Sequence, residues 1–360
     1  MLISSLKNST LSLSSRSIGR LLQPHDRYTR KYASQSTSPP LLRPNAETPV
    51  QHHSNDPLNH FIHDNIHPIA HFQPLPSGSH RSNISTTLPL ILPYESYPDP
   101  TRRADPTHLV EEHHGDGIVV VIHLVKESLN KEVDFVVSSG FIIEPEGSQD
   151  EQLVITCSHT LDQISNRYPQ TAIHSFIVPS ASSSAPSPIP ITAYPSSCIA
   201  DLLVCAIPRP DISLRSLPVS PFPIYKGQKV LVHEYGSSHL SNSIPWIGSM
   251  IQREWISAEM LGYRNYGWRE VQPGTSSALP YITFSTRPSN GSSGGPIVDA
   301  VSGAVVGVVS GSRTLSAVKG ERGYGASAEN IFEIAAVLTS WIYTFISEEQ
   351  IIAIPVEPNS

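Results

Sequence analysis

The chain has 360 residues, 39% of them hydrophobic, a formal net charge of −7, 33 prolines and three cysteines. Length and apolar content allow one large domain or two ordinary ones with a buried core, while the acidic balance argues against nucleic acid as a partner. No apolar run reaches the roughly 18 residues of a transmembrane span, and Cys157, Cys198 and Cys205 are too few for a disulfide framework, which suits a reducing compartment.

The first 32 residues carry six basic side chains (Lys7, Arg16, Arg20, Arg27, Arg30, Lys31) against the single acid Asp26, with many serines and scattered leucines. Leu2 to Leu22 is interrupted by polar residues, so it lacks the apolar stretch of a secretory signal. Residues 1–32 are expected to be a mitochondrial transit peptide, cleaved after Lys31 or Tyr32, with the matrix or intermembrane space as destination. Without them the chain holds 18 basic and 30 acidic residues, a formal net charge of −12.

Twelve prolines and seven histidines fall between Ala33 and Asp105, with few aromatics and no sustained hydrophobic period. Such a segment buries too little to offset the entropy of ordering, so 33–106 is expected to be a disordered arm. His60 with His63 and His67 with His71 have spacings that suit a metal, but with no cysteine or ordered scaffold beside them no metal or other cofactor is expected.

From about Thr107 the texture becomes short β-rich runs punctuated by Gly, Pro, Ser and Asn: Gly117 to Val125, Val133 to Ile143, Leu153 to Cys157, Ile173 to Val178 and Ile199 to Ile207. After the proline-rich passage Pro208 to Pro223 come Lys229 to His233, Trp246 to Gln252, Tyr281 to Ser285 and Ala304 to Ser310. This spacing predicts an all-β chain, an antiparallel sandwich or a barrel pair. Pro179 to Pro190 reads as an exposed loop and Pro208 to Pro223 as a linker. Ile331, Ile334, Ala335, Leu338, Trp341, Ile342 and Phe345 recur at helical spacing, with Asn330 as N-cap, and predict a helix over 330–347 that docks on the β core, followed by a tail at 348–360.

Gly291-Ser292-Ser293-Gly294-Gly295-Pro296 crowds three glycines around a serine. Glycine reaches φ > 0 and lets another backbone approach closely, at an entropic cost, so the cluster marks Ser293 as a nucleophile candidate. The pattern also fits the nucleophile elbow of α/β-hydrolases, which place their histidine after the serine; no histidine follows His239, so the base must precede Ser293. Of the histidines beyond the arm, His159 directly follows the apolar strand Leu153 to Cys157. Asp201, at the mouth of Leu202 to Ile207, needs a hydrogen-bonding partner for its carboxylate; Asp162 and Asp211 are its rivals.

With these residues in place, 115–347 resembles a chymotrypsin-fold serine protease of the trypsin and HtrA kind. Leu153 to His159 is similar to the family's histidine segment, Ile199 to Val204 to its aspartate segment, Gly291 to Pro296 to its serine motif, and Ser139-Gly140-Phe141 to a strand that precedes the histidine in HtrA proteases. His159 and Asp201 stand 42 residues apart, Asp201 and Ser293 92, close to the family's spacing.

The resemblance implies two antiparallel six-stranded β-barrels, about 115–208 and 223–325, with a C-terminal helix, a protease domain over 107–347, and polypeptide substrates. It implies a triad of His159, Asp201 and Ser293, and an oxyanion hole from the N–H groups of Gly291 and Ser293. Ser310, Gly311 and Ser312 would pair with the substrate backbone, and Arg287 would stand at the base of the specificity pocket, favouring acidic or polar side chains if it points inward. The disulfide cysteines of secreted trypsins and an HtrA-type PDZ module are missing. Two other functions fit the same residues: a protease-fold binding or chaperone-like protein, and a serine esterase.

Overall fold

Ile118–Val125 is apolar at seven of eight positions, too continuous a run for a strand with one face in water, and all eight residues are buried. This strand, β1, lies in the middle of the first of two sheets. The computed structural model describes residues 92, 93, 95, 98–104, 116–125, 134–145, 151–169, 171–179, 188–192, 200–208, 214–236, 244–245 and 252–335 except 276 and 317–319. The expected transit peptide, most of the arm with its histidine pairs, the strand residues 246–251, the helix beyond 335 and the tail lie outside the described residues.

The first sheet contains β1, β2 (Asp134–Ile143), β3 (Glu151–Cys157), β4 (Ile173–Pro179), β5 (Ile189–Pro190) and β6 (Leu202–Pro208). Their order is β5-β4-β1-β2-β3-β6, antiparallel throughout. Directly after β5, the Thr192 N–H donates to the Ala206 carbonyl of β6 at 2.9 Å, which brings the two edges of the sheet together.

The second sheet contains β7 (Lys229–Gly236), β8 (Ile244–Pro245), β9 (Gln252–Arg264), β10 (Glu270–Val271), β11 (Tyr281–Phe284), β12 (Pro296–Asp299), β13 (Val305–Ser316) and β14 (Gly320–Ser327). Six of them run β9-β11-β14-β13-β12-β7, and β7 pairs again with β9, closing a barrel; β8 and β10 are short additions to β9. The two expected barrels are therefore present, the first by curling and the second by full closure.

Alternation splits the core. Val119 and Val121 on one face of β1 pack with Val154, Leu203, Cys205 and the helix residues Leu161 and Ile164. Ile118, Val120 and Ile122 on the other face join a cluster that reaches Val298, Val305, Val308 and Ala326 of the second sheet and Ile331 and Ile334 of the C-terminal helix. A third cluster, with Val232, Met260, Phe284, Ile297 and Val309, belongs to the second barrel.

Three expectations need correction. A helix, α1 (Ser158–Arg167), follows β3 without a break, where no helix was predicted; its apolar residues are too few to mark a stripe, but Leu161 and Ile164 bury themselves. The C-terminal helix, α2, starts at 328, not at Asn330. Asn330 sits in its first turn, with Nδ2 donating back to the Pro280 carbonyl at 2.8 Å and to Ser327 Oγ at 2.9 Å. Finally, the arm is not disordered to its end. Asp99 caps a 3-10 turn at Pro100–Arg102, the Ala104 N–H donates to the Gly303 carbonyl at 3.1 Å, and Leu92 joins the core.

β1 also buries His123, whose Nδ1 lies 2.7 Å from Ser175 Oγ. Burial disfavours the imidazolium and lowers its pKa to about 4. Between pH about 6.5 and 4 the unfolded chain binds a proton here that the folded chain does not, so this residue removes stability as the pH falls. In urea unfolding followed from pH 7 to pH 4, His123→Gln is therefore expected to gain on the wild type by up to about 3 kcal/mol.

Candidate active site

β3 ends at Cys157, still extended, and α1 begins at Ser158, so His159 stands on the first turn of a helix anchored by a buried strand. Asp201 reaches it from a strained turn. Ala200 and Asp201 have φ of 51° and 69°, a left-handed conformation that costs roughly 1–2 kcal/mol per non-glycine residue. That turn stands directly before β6, and its carboxylate meets the first turn of α1.

Asp201 Oδ1 accepts from Ser158 Oγ and from the His159 N–H, both at 3.0 Å, and Oδ2 lies 2.8 Å from His159 Nδ1. The Ser158 N–H donates to the Asp201 carbonyl at 2.9 Å. A carboxylate can only accept, so Nδ1 carries the proton and Nε2 of the neutral ring is left as the base. Nε2 meets Cys157 Sγ at 3.8 Å. Burial opposes the imidazolium, but the Cys157 sulfur and the Asp201 carboxylate outweigh it and hold the His159 pKa well above its usual value. The ring is 42% exposed and Asp201 22%. Asp162, the rival acid, is exposed on α1; Asp211 lies outside the described residues.

The turn that carries Ser293 is held on three sides. Ser139 of β2 donates its N–H to the Ser293 carbonyl at 2.8 Å and its hydroxyl to the Gly291 carbonyl at 3.0 Å. From β13, the Val309 carbonyl accepts the Gly294 N–H at 2.7 Å and the Val309 N–H reaches the Gly295 carbonyl at 2.8 Å, while Gly295 N–H closes on the Ser292 carbonyl at 2.9 Å.

Gly294, at φ 84°, has no room for a side chain: a Cβ there would lie 2.2 Å from the Ser139 carbonyl, 2.4 Å from Thr156 Oγ1 and 3.0 Å from the Cys157 nitrogen. The serine turn thus abuts the end of β3, two residues before His159. Ser293 is 6% exposed and its hydroxyl makes no hydrogen bond among the described residues. Gly291 has φ 88°, and neither its N–H nor that of Ser293 donates to an acceptor among the described residues.

Ser310, Gly311 and Ser312 lie on β13 just past Val309. The register with β14 shifts between Val309 and Gly311, and Ser310 Oγ is buried with no hydrogen-bond partner in the described structure. β12 pairs with β13 only as far as Val308; beyond that point the edge of β13 away from β14 has no strand beside it among the described residues. Arg287 does not turn inward: it is 65% exposed and its guanidinium pairs with Glu321 Oε2 at 3.0 Å, while Ser312 Oγ donates to the other oxygen of the same carboxylate.

Of the expected residues, His159 and Asp201 are directly bonded and the Ser293 turn packs on the same strand end, while Arg287 stands apart on Glu321. The roles of Ser158, Thr156 and Glu321 were not foreseen, since serines, threonines and surface acids carry no pattern that separates them from the many others. No group of metal-ligating side chains is present among the described residues.

Residues 138–308 match the family model of the trypsin-like peptidase domain. Among solved structures, the active form of the Rv3671c protease from M. tuberculosis is 18% identical, covering 69% of this chain and 89% of that one at a TM-score of 0.40. Deg5 is 14% identical, with 60% and 85% covered, also at 0.40. The MamO protease domain from Magnetospirillum magneticum is 15% identical, with 59% and 94% covered, at 0.38. No curated protein matches the chain.

Gly294→Ala tests the close approach. The added methyl meets fixed backbone in a left-handed conformation and is expected to lower the unfolding free energy by at least about 2 kcal/mol. Gly227→Ala, at φ 87° but with nothing within 4 Å, is expected to cost only the conformational share of that, so denaturant unfolding of the two variants separates crowding from backbone strain.

Proposed function

We propose that this chain, which carries a trypsin-like peptidase domain over residues 138–308, is a serine endopeptidase with Ser293 as nucleophile, His159 as base and Asp201 as orienting carboxylate. The observation that carries the reading is the 2.8 Å bond from His159 Nδ1 to Asp201 Oδ2, backed by two further bonds to the other carboxylate oxygen. It fixes the ring tautomer that leaves the Nε2 lone pair, which among the described residues meets only the Cys157 sulfur, to take the proton of a serine hydroxyl.

In the reaction Ser293 Oγ attacks the peptide carbonyl as Nε2 removes its proton. The N–H groups of Gly291 and Ser293 receive the developing oxyanion, and the imidazolium, held by Asp201, returns the proton to the leaving amine. Water then hydrolyses the acyl-enzyme by the same route. The Ser293 to His159 hydrogen bond, which the described structure does not contain, forms on substrate binding, since catalytic hydrogen bonds commonly reach their working geometry only in the substrate complex. An extended peptide adds to the open edge of β13 at Ser310 to Ser312, main chain to main chain, which favours peptides over small esters.

A fluorophosphonate probe is expected to label the protein and to fail on Ser293→Ala. Asp201→Asn should lose on the order of 10⁴ in kcat. Because the base must be neutral, kcat/KM of the wild type should rise with pH through a midpoint above 6.5, the usual histidine value. Absence of labelling at every pH would instead make the chain a protease-fold binding protein, and turnover of esters but not peptides would make it an esterase. The basic, acid-poor N-terminus supports a mitochondrial address, so the labelled protein is expected in purified mitochondria.

Arg287, spent on Glu321, supplies no free cation for an acidic substrate side chain. The peptide-library cleavage profile of Arg287→Ala is expected to match the wild type; loss of preference for acidic residues before the scissile bond would show Arg287 to be the selecting group.

A further inference from the structure

Glu234 on β7 is 3% exposed and has no cationic partner among the described residues. Its Oε2 accepts the Ser289 N–H at 3.3 Å, and the Ser289 hydroxyl adds a second hydrogen bond. Its other oxygen, Oε1, is buried with no hydrogen-bond partner in the described structure. Across the β7–β9 ladder it faces another carboxylate, Glu254. Its chain neighbour His233 is buried as well. Burial, opposed by the Ser289 bonds and assisted by Glu254, pushes its pKa up to about 7. A half-satisfied buried carboxyl is costly to fold around.

What Glu234 touches is the turn that leads into Ser293. Ser289 Oγ lies 3.0 Å from Ser292 Oγ, and the Ser292 N–H closes on the Ser289 carbonyl at 3.2 Å. Glu234 and Ser292, both buried, thus meet through Ser289, which is itself exposed, in a relay that ties down both ends of the 289–292 turn, and the peptide between them contains the N–H of Gly291. We infer that Glu234 is a positioning residue: by anchoring Ser289 it fixes the orientation of the Gly291 N–H as an oxyanion donor. The inference rests on the protease reading above and adds to it a group that touches neither the substrate nor the triad.

The orientation of one donor matters mainly in the transition state, so its loss is expected in kcat and not in KM. Glu234→Met keeps the side-chain volume and removes both acceptor oxygens; Glu234→Gln keeps one acceptor for the Ser289 N–H. Steady-state peptide turnover and the fluorophosphonate labelling rate are measured for both beside the wild type, with thermal midpoints. The Met variant is expected to lose on the order of 10²-fold in kcat and in labelling rate, with KM unchanged within about twofold, and the Gln variant to recover most of both.

Wild-type kcat in the Met variant would overturn the inference while leaving the protease reading in place. So would equal losses in the Met and Gln variants that follow their thermal midpoints. A wild type that labels nowhere in pH would overturn the protease reading, and this inference with it.

Discussion

The bond from the Ser139 N–H to the Ser293 carbonyl joins the two sheets at the point where chemistry is expected, and the rest of the site depends on it. It requires β2 and the serine turn to approach within hydrogen-bonding distance, which only a glycine at 294 allows. The approach places the turn against Thr156 and Cys157, and so against the strand that aims His159. The serine, on one sheet, and the histidine and aspartate, on the other, are thereby positioned by the docking of two separately hydrogen-bonded bodies. The apolar cluster running from β1 through Val305 and Val308 to Ile331 and Ile334 supplies the adhesion. The polar clamp supplies the register.

Two histidines show how the same side chain is set to opposite ends by its surroundings. His123, wholly buried among β-branched residues with a single serine hydroxyl for company, is held neutral. His159, with 42% of its ring exposed, is also disfavoured as a cation by partial burial, yet the Cys157 sulfur and the carboxylate at 2.8 Å reverse the outcome and favour its charged form. A base of that kind is strong but is protonated over a wider range of pH. The strain at Ala200 and Asp201 is the structural cost of placing the carboxylate there, and three hydrogen bonds to charge-bearing oxygens, each worth about 1.5–3 kcal/mol, are enough to offset it.

Much of this was legible in the sequence because it rests on short-range rules. The apolar runs of β1, β2, β3 and β6 announce buried strands, and the glycine cluster around Ser293 announces a crowded turn. β14 was missed for the converse reason. Its sequence holds no apolar run to announce a strand, but at Gly323 and Gly325 the absence of a side chain is what lets it lie against its neighbours. A Cβ on Gly323 would be 2.0 Å from the Phe284 ring, and one on Gly325 2.1 Å from the Val308 carbonyl. Likewise α1 has no periodic stripe to betray it, because only Leu161 and Ile164 among its ten residues bring apolar side chains to the core. Glu234 illustrates the limit on the side of function: its position matters through Ser289, 55 residues away, and no local pattern carries that.

The open edge of β13 and the pairing of Arg287 bear together on what such a site selects. On the proposed reading a substrate is held by main-chain hydrogen bonds, which are the same for every residue but proline, so affinity comes from extension and not from identity. Arg287 would have broken that indifference had it been free. Glu321, which takes the guanidinium on one oxygen and the Ser312 hydroxyl on the other, neutralises it and at the same time braces the strand that receives the substrate. On that reading one carboxylate both occupies the guanidinium and braces the docking edge, and the selectivity that remains comes from shape along that edge.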